Sequence, residues 1–170
     1  IYAAAASAAG FDVAEIHVAL WEKTRDKSPS YFSPLGLLRR AIAWVAAAGK
    51  LAWRWRTSGG TPIAIVGFNG QLDVLLLRLL TLRYGPRIVY APLVSVTETL
   101  IDDRARYRRE GRIARAFRWL DRLCCHAADV VVADTHEHRR YFVERLGVDP
   151  GRVVVCHLGA DNAIFRPLPD

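Results

Sequence analysis

Apolar residues along this chain fall into two alternating patterns. Short β-branched runs recur at Ile63-Ala64-Ile65-Val66, Ile88-Val89-Tyr90, Val130-Val131-Val132 and Val153-Val154-Val155, and each reads as a buried strand. With a further run at 13–18, strands are predicted near 13–18, 62–67, 87–91, 129–133 and 152–157. Between them lie segments with helical spacing. Residues 1–9 read as the tail of a helix stopped by Gly10. Residues 34–56 carry Leu37, Leu38, Ala41, Ile42, Val45 and Ala48 on a helix ended by Ser58-Gly59-Gly60. A helix over 71–84 closes at Gly85-Pro86, and 21–33 is polar and reads as a loop. The arginine-rich region 99–127, interrupted near Gly111, places Ile113, Phe117, Leu120 and Leu123 on one predicted buried stripe. Asp134 is placed to cap the next helix with Glu137 in capping-box fashion, and Gly147 followed by Pro150 ends it.

Strand and helix alternating in this way predict an α/β fold, a doubly wound and mostly parallel Rossmann-like sheet with helices on both faces and right-handed crossovers. The chain opens inside an alanine run, Ala3-Ala4-Ala5-Ala6, and stops at Pro167-Leu168-Pro169-Asp170, which reads as a linker. Both ends read as cuts, with a strand expected ahead of the first helix. That strand is central in a doubly wound sheet, and its loss would leave a groove in the middle of the core.

Composition narrows the classes. Of 170 residues 52% are hydrophobic, which suits one globular domain and excludes a disordered chain. Lysine plus arginine outnumber aspartate plus glutamate 24 to 17, and only Lys23, Lys27 and Lys50 are lysines. An arginine-based charge of +7 attracts phosphates on nucleic acid, anionic lipid or a nucleotide-activated substrate without choosing among them. Cys124, Cys125 and Cys156 do not resemble a secreted disulfide framework, so a cytoplasmic setting is expected. No apolar run approaches the roughly 20 residues of a membrane span.

In parallel sheets ligands bind beyond the carboxyl ends of the strands. That rule selects Gly67-Phe68-Asn69-Gly70, then Ser95-Val96-Thr97-Glu98, then Asp134-Thr135-His136, then Gly159-Ala160-Asp161. Gly67 and Gly70 let backbone amides approach a ligand, or simply make a tight turn, and Asn69 can cap the next helix. Ser95, Thr97 and Glu98 offer hydroxyls and a carboxylate to a sugar, or cap the following helix through Thr97 or Thr99. His136 and His138 flank Glu137, but a spacing of two on a helix turns the rings to different faces. The cysteines lack zinc spacing, and no metal is expected. Asp102-Asp103 reads as the acidic first turn of a helix, and no G-x-G-x-x-G, P-loop or nucleophile elbow occurs. Trp44, Lys50, Trp53, Arg54, Trp55 and Arg56 cluster at one helix end, which suits either packing under a loop or an anionic membrane surface.

Taken in order, these segments resemble glycosyltransferase family 4. The resemblance is carried by Ala128 to Thr135, a helix, then Arg152 to Asp161 with its Gly159-x-Asp161, then Phe165-Arg166-Pro167. One bacterial subgroup is further resembled in Gly67 to Asp73, Val94 to Leu100 followed by Asp103-Arg104, Trp119-Leu120-Asp121-Arg122-Leu123, and Asp134-Thr135-x-x-His138-x-x-Tyr141-Phe142. It covers residues 61–167 well and 1–60 only in general pattern.

The resemblance implies the N-terminal half of a GT-B fold. Residues 1–160 would be the acceptor-side domain, 161–170 would begin the interdomain linker, and a donor-binding C-terminal domain would follow. It implies retaining transfer of a sugar, of the hexosyltransferase kind, from a nucleotide-sugar donor, without metal or other cofactor. The acceptor would be a sugar or lipid-linked acceptor of the cell-envelope or polysaccharide type. The isolated chain would be inactive and marginally stable. Many members carry a histidine after the strand at 87–91, where this chain has Ala91-Pro92, so no catalytic residue carries over. The cleft-lining residues on this reading are Gly67, Asn69, Gly70, Ser95, Thr97, Glu98, Asp134, Thr135, Gly159 and Asp161. The enzyme would work in the cytoplasm, with peripheral attachment to the inner face of the cell membrane left open. Two alternatives are an epimerase of the same GT-B fold and a basic module binding membrane or nucleic acid. The lack of an RNA-type aromatic platform disfavours nucleic acid.

Overall fold

Alanine loses no side-chain entropy in a helix, and the run at the start of the chain forms α1, Tyr2–Ala8, which stops at Gly10 with a φ of +85°. The computed structural model describes residues 2–18, 34–68, 70–82, 85–98 and 110–159. The chain divides into two compact units, Ile1–Thr61 and Pro62–Asp170.

The first unit holds α1 and α2, Pro34–Thr57, and α2 ends where expected at Gly59 and Gly60, both at positive φ. The hydroxyls of Thr57 and Ser58 turn back onto the carbonyls of Trp53, Arg54 and Trp55 and occupy acceptors that the helix end leaves open. The strand expected at 13–18 does not form: residues 11–18 carry no ladder. A strand needs a neighbour for its N–H and C=O groups, and the described elements of this unit are helices. Phe11 is 63% exposed, and Arg54 Nη1 donates to the His17 carbonyl at 2.6 Å in place of a strand partner. The loop predicted over 21–33 lies outside the described residues.

In the second unit the order is β1 (Ile63–Val66), α3 (Gln71–Leu80), β2 (Arg87–Tyr90), α4 (Arg112–Ala127), β3 (Val130–Ala133), α5 (His136–Glu144), a 3-10 turn (Pro150–Arg152) and β4 (Val153–Val155). All four strands are parallel, in the spatial order β1-β2-β3-β4. This is a Rossmann-like α/β sheet, with one described strand fewer than the sequence pattern predicts. Among the described residues the four strands are contiguous, with no groove between them.

Register sets one buried row across the sheet. Val66 pairs with Tyr90, Tyr90 with Val131, and Val131 with Val153. Ile88, Tyr90, Val131, Ala133 and Val153 pack against Val74 of α3, Cys124 and Cys125 of α4, and Phe142 and Leu146 from α5 and its end. The three helices thus cover this face, and Ile63, Ile65 and Val154 of the other face remain exposed. Burial of the shared face, at about 25 cal/mol per Å² of apolar surface, is the main drive for this unit.

Helix ends move by a few residues from the sequence reading. α3 stops at Leu80 with Thr81 as C-cap, and 83–84 lie outside the described residues, as do 99–109 of the arginine-rich region. Gly111, in extended conformation, is the N-cap of α4. The buried stripe of α4 matches the predicted one only in part: Leu120 packs against the core and Phe117 is half-buried. Ala114, Asp121, Cys124 and Cys125 are buried, whereas Ile113 is 48% and Leu123 38% exposed. The stripe was hidden because it contains a carboxylate, which the site below satisfies.

Candidate functional site

Parallel strands end on one edge, so the loops after β1, β2, β3 and β4 emerge together. The loop after β2 is the most constrained. Val94 N donates to the Pro92 carbonyl at 2.7 Å, closing a three-residue turn around Leu93, whose φ is +63°. A branched residue in that left-handed region costs on the order of 1–2 kcal/mol, which the surrounding contacts must offset.

Those contacts converge on Asp121 of α4, which is 4% exposed. Its Oδ2 accepts from Ser95 Oγ at 2.8 Å, Thr97 Oγ1 at 2.7 Å and Thr97 N at 2.9 Å, and its Oδ1 from Val96 N at 3.2 Å. Ser95 Oγ then accepts from Glu98 N at 3.1 Å and lies 3.4 Å from the Tyr141 hydroxyl. A buried carboxylate thus caps the helical turn at 96–98, and four donors offset its desolvation. Burial, and next the Asp121 charge, push the Cys124 thiol up to about 12, and burial likewise raises the Tyr141 hydroxyl.

The turn delivers Glu98 to His138. His138 Nε2 lies 3.2 Å from Glu98 Oε2, an oxygen that is buried and has no well-aligned hydrogen bond. On the other side Nδ1 contacts Asp134 Oδ1, the residue that follows β3. His138 is one helical turn from Asp134, and its ring stacks on Phe142 at 5.8 Å between centroids. The contact to Glu98 is the largest cause raising the His138 imidazole to about 9; burial opposes it, and Asp134 adds to it. At neutral pH the ring is therefore an imidazolium between two carboxylates.

The other predicted residues fall as follows. Thr135, not Asp134, caps α5: its Oγ1 accepts from His138 N at 3.1 Å, and Asp134 turns instead to the His138 ring. The N-cap expected at Asp134 therefore falls one residue later, because Thr135 holds the extended N-cap conformation. Gly67 and Gly70 form the tight turn between β1 and α3, with Gly70 N donating to the Gly67 carbonyl at 3.1 Å. Gly159 is exposed after β4, while Asn69 and Asp161 lie outside the described residues, as do Phe165 to Pro167. Ser95 and Thr97 are at this edge but spend their hydroxyls on Asp121 and are 2% and 3% exposed. His157, beyond β4, brings Nδ1 to 2.9 Å from the Asp134 carbonyl, and its ring meets His136 edge-on at 5.7 Å. Among the described residues no group of three or more His, Cys, Asp or Glu is arranged to hold a metal ion.

The sequence pattern does not single out Asp121, Tyr141 or His157 as site residues, and it weighs His138 only for metal. Asp121 had a trace: a lone carboxylate seven residues after Ala114 on the same helical face. The pairing of His138 with Glu98 spans the crossover from β2 through α4 to β3 and left none.

At the opposite edge, a cleft of about 540 Å³ is lined by Arg78, Arg87, Asp129 and Arg152 among others. Its groups serve the fold. Arg78 Nη2 pairs with Asp129 at 2.8 Å, while its Nε and the Arg152 guanidinium cover the carbonyls that end α4. Burial opposes it, but the Ile88 N–H and Arg78 hold the Asp129 carboxyl below its usual range.

A comparison with curated proteins finds no match. A family model does: the glycosyl transferase 4-like domain matches residues 1–159, across both units. With a parallel α/β sheet and polar loops gathered at the carboxyl edge of its strands, the chain belongs to the glycosyl transferase 4-like domain family.

Proposed function

We propose that this domain forms the acceptor side of a retaining hexosyltransferase, which moves a sugar from a nucleotide-sugar donor to a sugar or lipid-linked acceptor without a metal. The observation that carries the reading is Glu98, whose carboxylate meets His138 at the strand edge, the ring being held in turn by Asp134, while the Glu98 side chain keeps 25% exposure. A carboxylate fixed in this way accepts hydrogen bonds from hydroxyls, the groups that a sugar presents, and discriminates well when partly desolvated. Ser95 and Thr97 act here through Asp121, holding the loop, rather than by touching ligand. The backbone at Gly67 and Gly70, with Thr135 and Gly159, completes the rim on this reading, and Asn69 and Asp161 join it from their sequence positions alone. Retention, the hexose and the nucleotide rest on family membership alone, and a second domain beyond residues 161–170 supplies the donor site on this reading.

The test uses the full-length enzyme with donor saturating. Glu98→Gln and Asn69→Ala are each expected to lower kcat/KM for acceptor about tenfold or more. Wild-type values in both variants would place the acceptor elsewhere.

The site of action follows the same reading: cytoplasmic, with the enzyme resting on an anionic inner leaflet. No described helix is long and apolar enough to cross a membrane. Support comes from α2, where Ile42, Val45 and Trp53 share an exposed face and Lys50, Arg54 and Arg56 lie near its end.

A further inference from the structure

His138 belongs to no reacting group in the reading above, yet it joins two loops that the sequence separates by forty residues. We propose that His138 is the positioning residue of the acceptor side: fixed by Asp134 at Nδ1, it aims the Glu98 carboxylate through Nε2 and so joins the loops after β2 and β3 into one hydroxyl-binding rim. The inference rests on the acceptor-side reading of Glu98.

Each carboxylate accepts and cannot donate, so a ring that serves both must carry a proton on each nitrogen, and only the imidazolium does. Neutral His138 would keep one N–H and turn a lone pair toward the other carboxylate. That carboxylate would then be repelled and released. Glu98 Oε2 is buried with no well-aligned partner, so nothing else among the described residues replaces the ring on that oxygen. From behind, Asp121 fastens the turn that carries Glu98, which leaves its side chain as the adjustable part. The groups around the ring are Glu98 from the loop after β2, Asp134 from the end of β3, and Phe142 from α5 itself. Beyond them stand Tyr141 and Asp121, and His157 meets Asp134 through its backbone carbonyl. Across this set Glu98 and Asp134 carry two negative charges against the one on His138, so the rim favours neutral hydroxyl donors over anionic ligands.

The experiment is ligand-observed NMR on the full-length enzyme. The probes are methyl α-D-glucopyranoside, methyl α-D-mannopyranoside and methyl α-D-galactopyranoside, and the proteins are wild type, Glu98→Gln, His138→Gln and Asp134→Asn. At neutral pH, affinity for the best probe is expected to fall about tenfold in both Glu98→Gln and His138→Gln and less in Asp134→Asn. Wild-type affinity should fall as pH rises through about 9, whereas His138→Gln stays flat over that range. A parallel NMR titration of the His138 ring should show its midpoint drop in Glu98→Gln, which checks the clamp even if a variant binds poorly through misfolding. Loss in Glu98→Gln with wild-type binding in His138→Gln overturns the positioning role and leaves the acceptor-side reading standing. Unchanged binding in Glu98→Gln, or no probe bound by wild type, overturns both.

Discussion

Thr97 donates twice to one oxygen of Asp121, its backbone N–H at 2.9 Å and its hydroxyl at 2.7 Å. With Ser95 and Val96 the carboxylate takes four donors from a three-residue stretch. Asp121→Ala would strand these buried donors, and Asp121→Asn would turn an amide toward some of them. Either change is expected to cost about 3 kcal/mol or more, read from urea denaturation midpoints. An isosteric variant as stable as wild type would show that the network is not under load.

The two glycines after β1 should behave differently. A Cβ on Gly70 would strike Val66 Cγ1 and lie 2.8 Å from the Gly67 carbonyl oxygen, whereas a Cβ on Gly67 meets nothing within 4 Å. Gly70→Ala is expected to destabilise by about 2 kcal/mol and Gly67→Ala by no more than about 0.5 kcal/mol. If Gly67 lets a ligand approach, its alanine variant keeps the melting temperature and loses acceptor affinity. Equal loss of stability at both positions would contradict the turn geometry.

Stability should fall on the alkaline side. The His138 ring is raised to about 9 from its ordinary 6.5, chiefly by Glu98. A raised imidazole stabilises the fold fully below the unfolded value, and that contribution disappears as pH climbs through the folded value. A loss on the order of 2–3 kcal/mol is expected between roughly pH 6 and 10, absent in His138→Gln. Denaturant midpoints across that range measure it, and parallel curves for the two proteins would refute it.

Thiol reactivity should rank by environment. Cys156 is exposed, while Cys124 and Cys125 are buried beside Asp121, with Cys124 held near 12. Under native conditions at about pH 8, an aromatic disulfide reagent is expected to label Cys156 quickly and the buried pair only on unfolding. Rapid labelling of Cys124 would mean that the space between α3 and α4 opens.

Vesicle sedimentation tests the surface of α2. Trp53 is 70% exposed and lies on the face of Ile42 and Val45. Binding is expected to anionic vesicles and not to neutral ones at low salt, and Trp53→Ala with Arg56→Ala should abolish it. Equal sedimentation with both lipids would remove the membrane from this account.

Local chemistry carried much of this protein in its sequence. Alternation of β-branched runs with helical spacing, and glycine at Gly10, Gly59, Gly60 and Gly147, set four strands and most helix ends, because propensity and positive-φ turns act within a few residues. The order of short motifs likewise pointed to the family, and the rule that ligands meet the carboxyl edge of a parallel sheet selected the loops that carry Glu98, Asp134 and Thr135. Tertiary structure decided the rest. Residues 13–18 have strand composition and no strand, since a ladder depends on a neighbour that composition cannot supply. Asp121 reads as a surface carboxylate on an arginine-rich helix, yet it is buried, because its four donors arrive from a loop more than twenty residues away. His138 sits beside Glu137 in the chain but meets Glu98 in space. Only the parallel register of β2 and β3, which brings both loops to one edge, could make that pair.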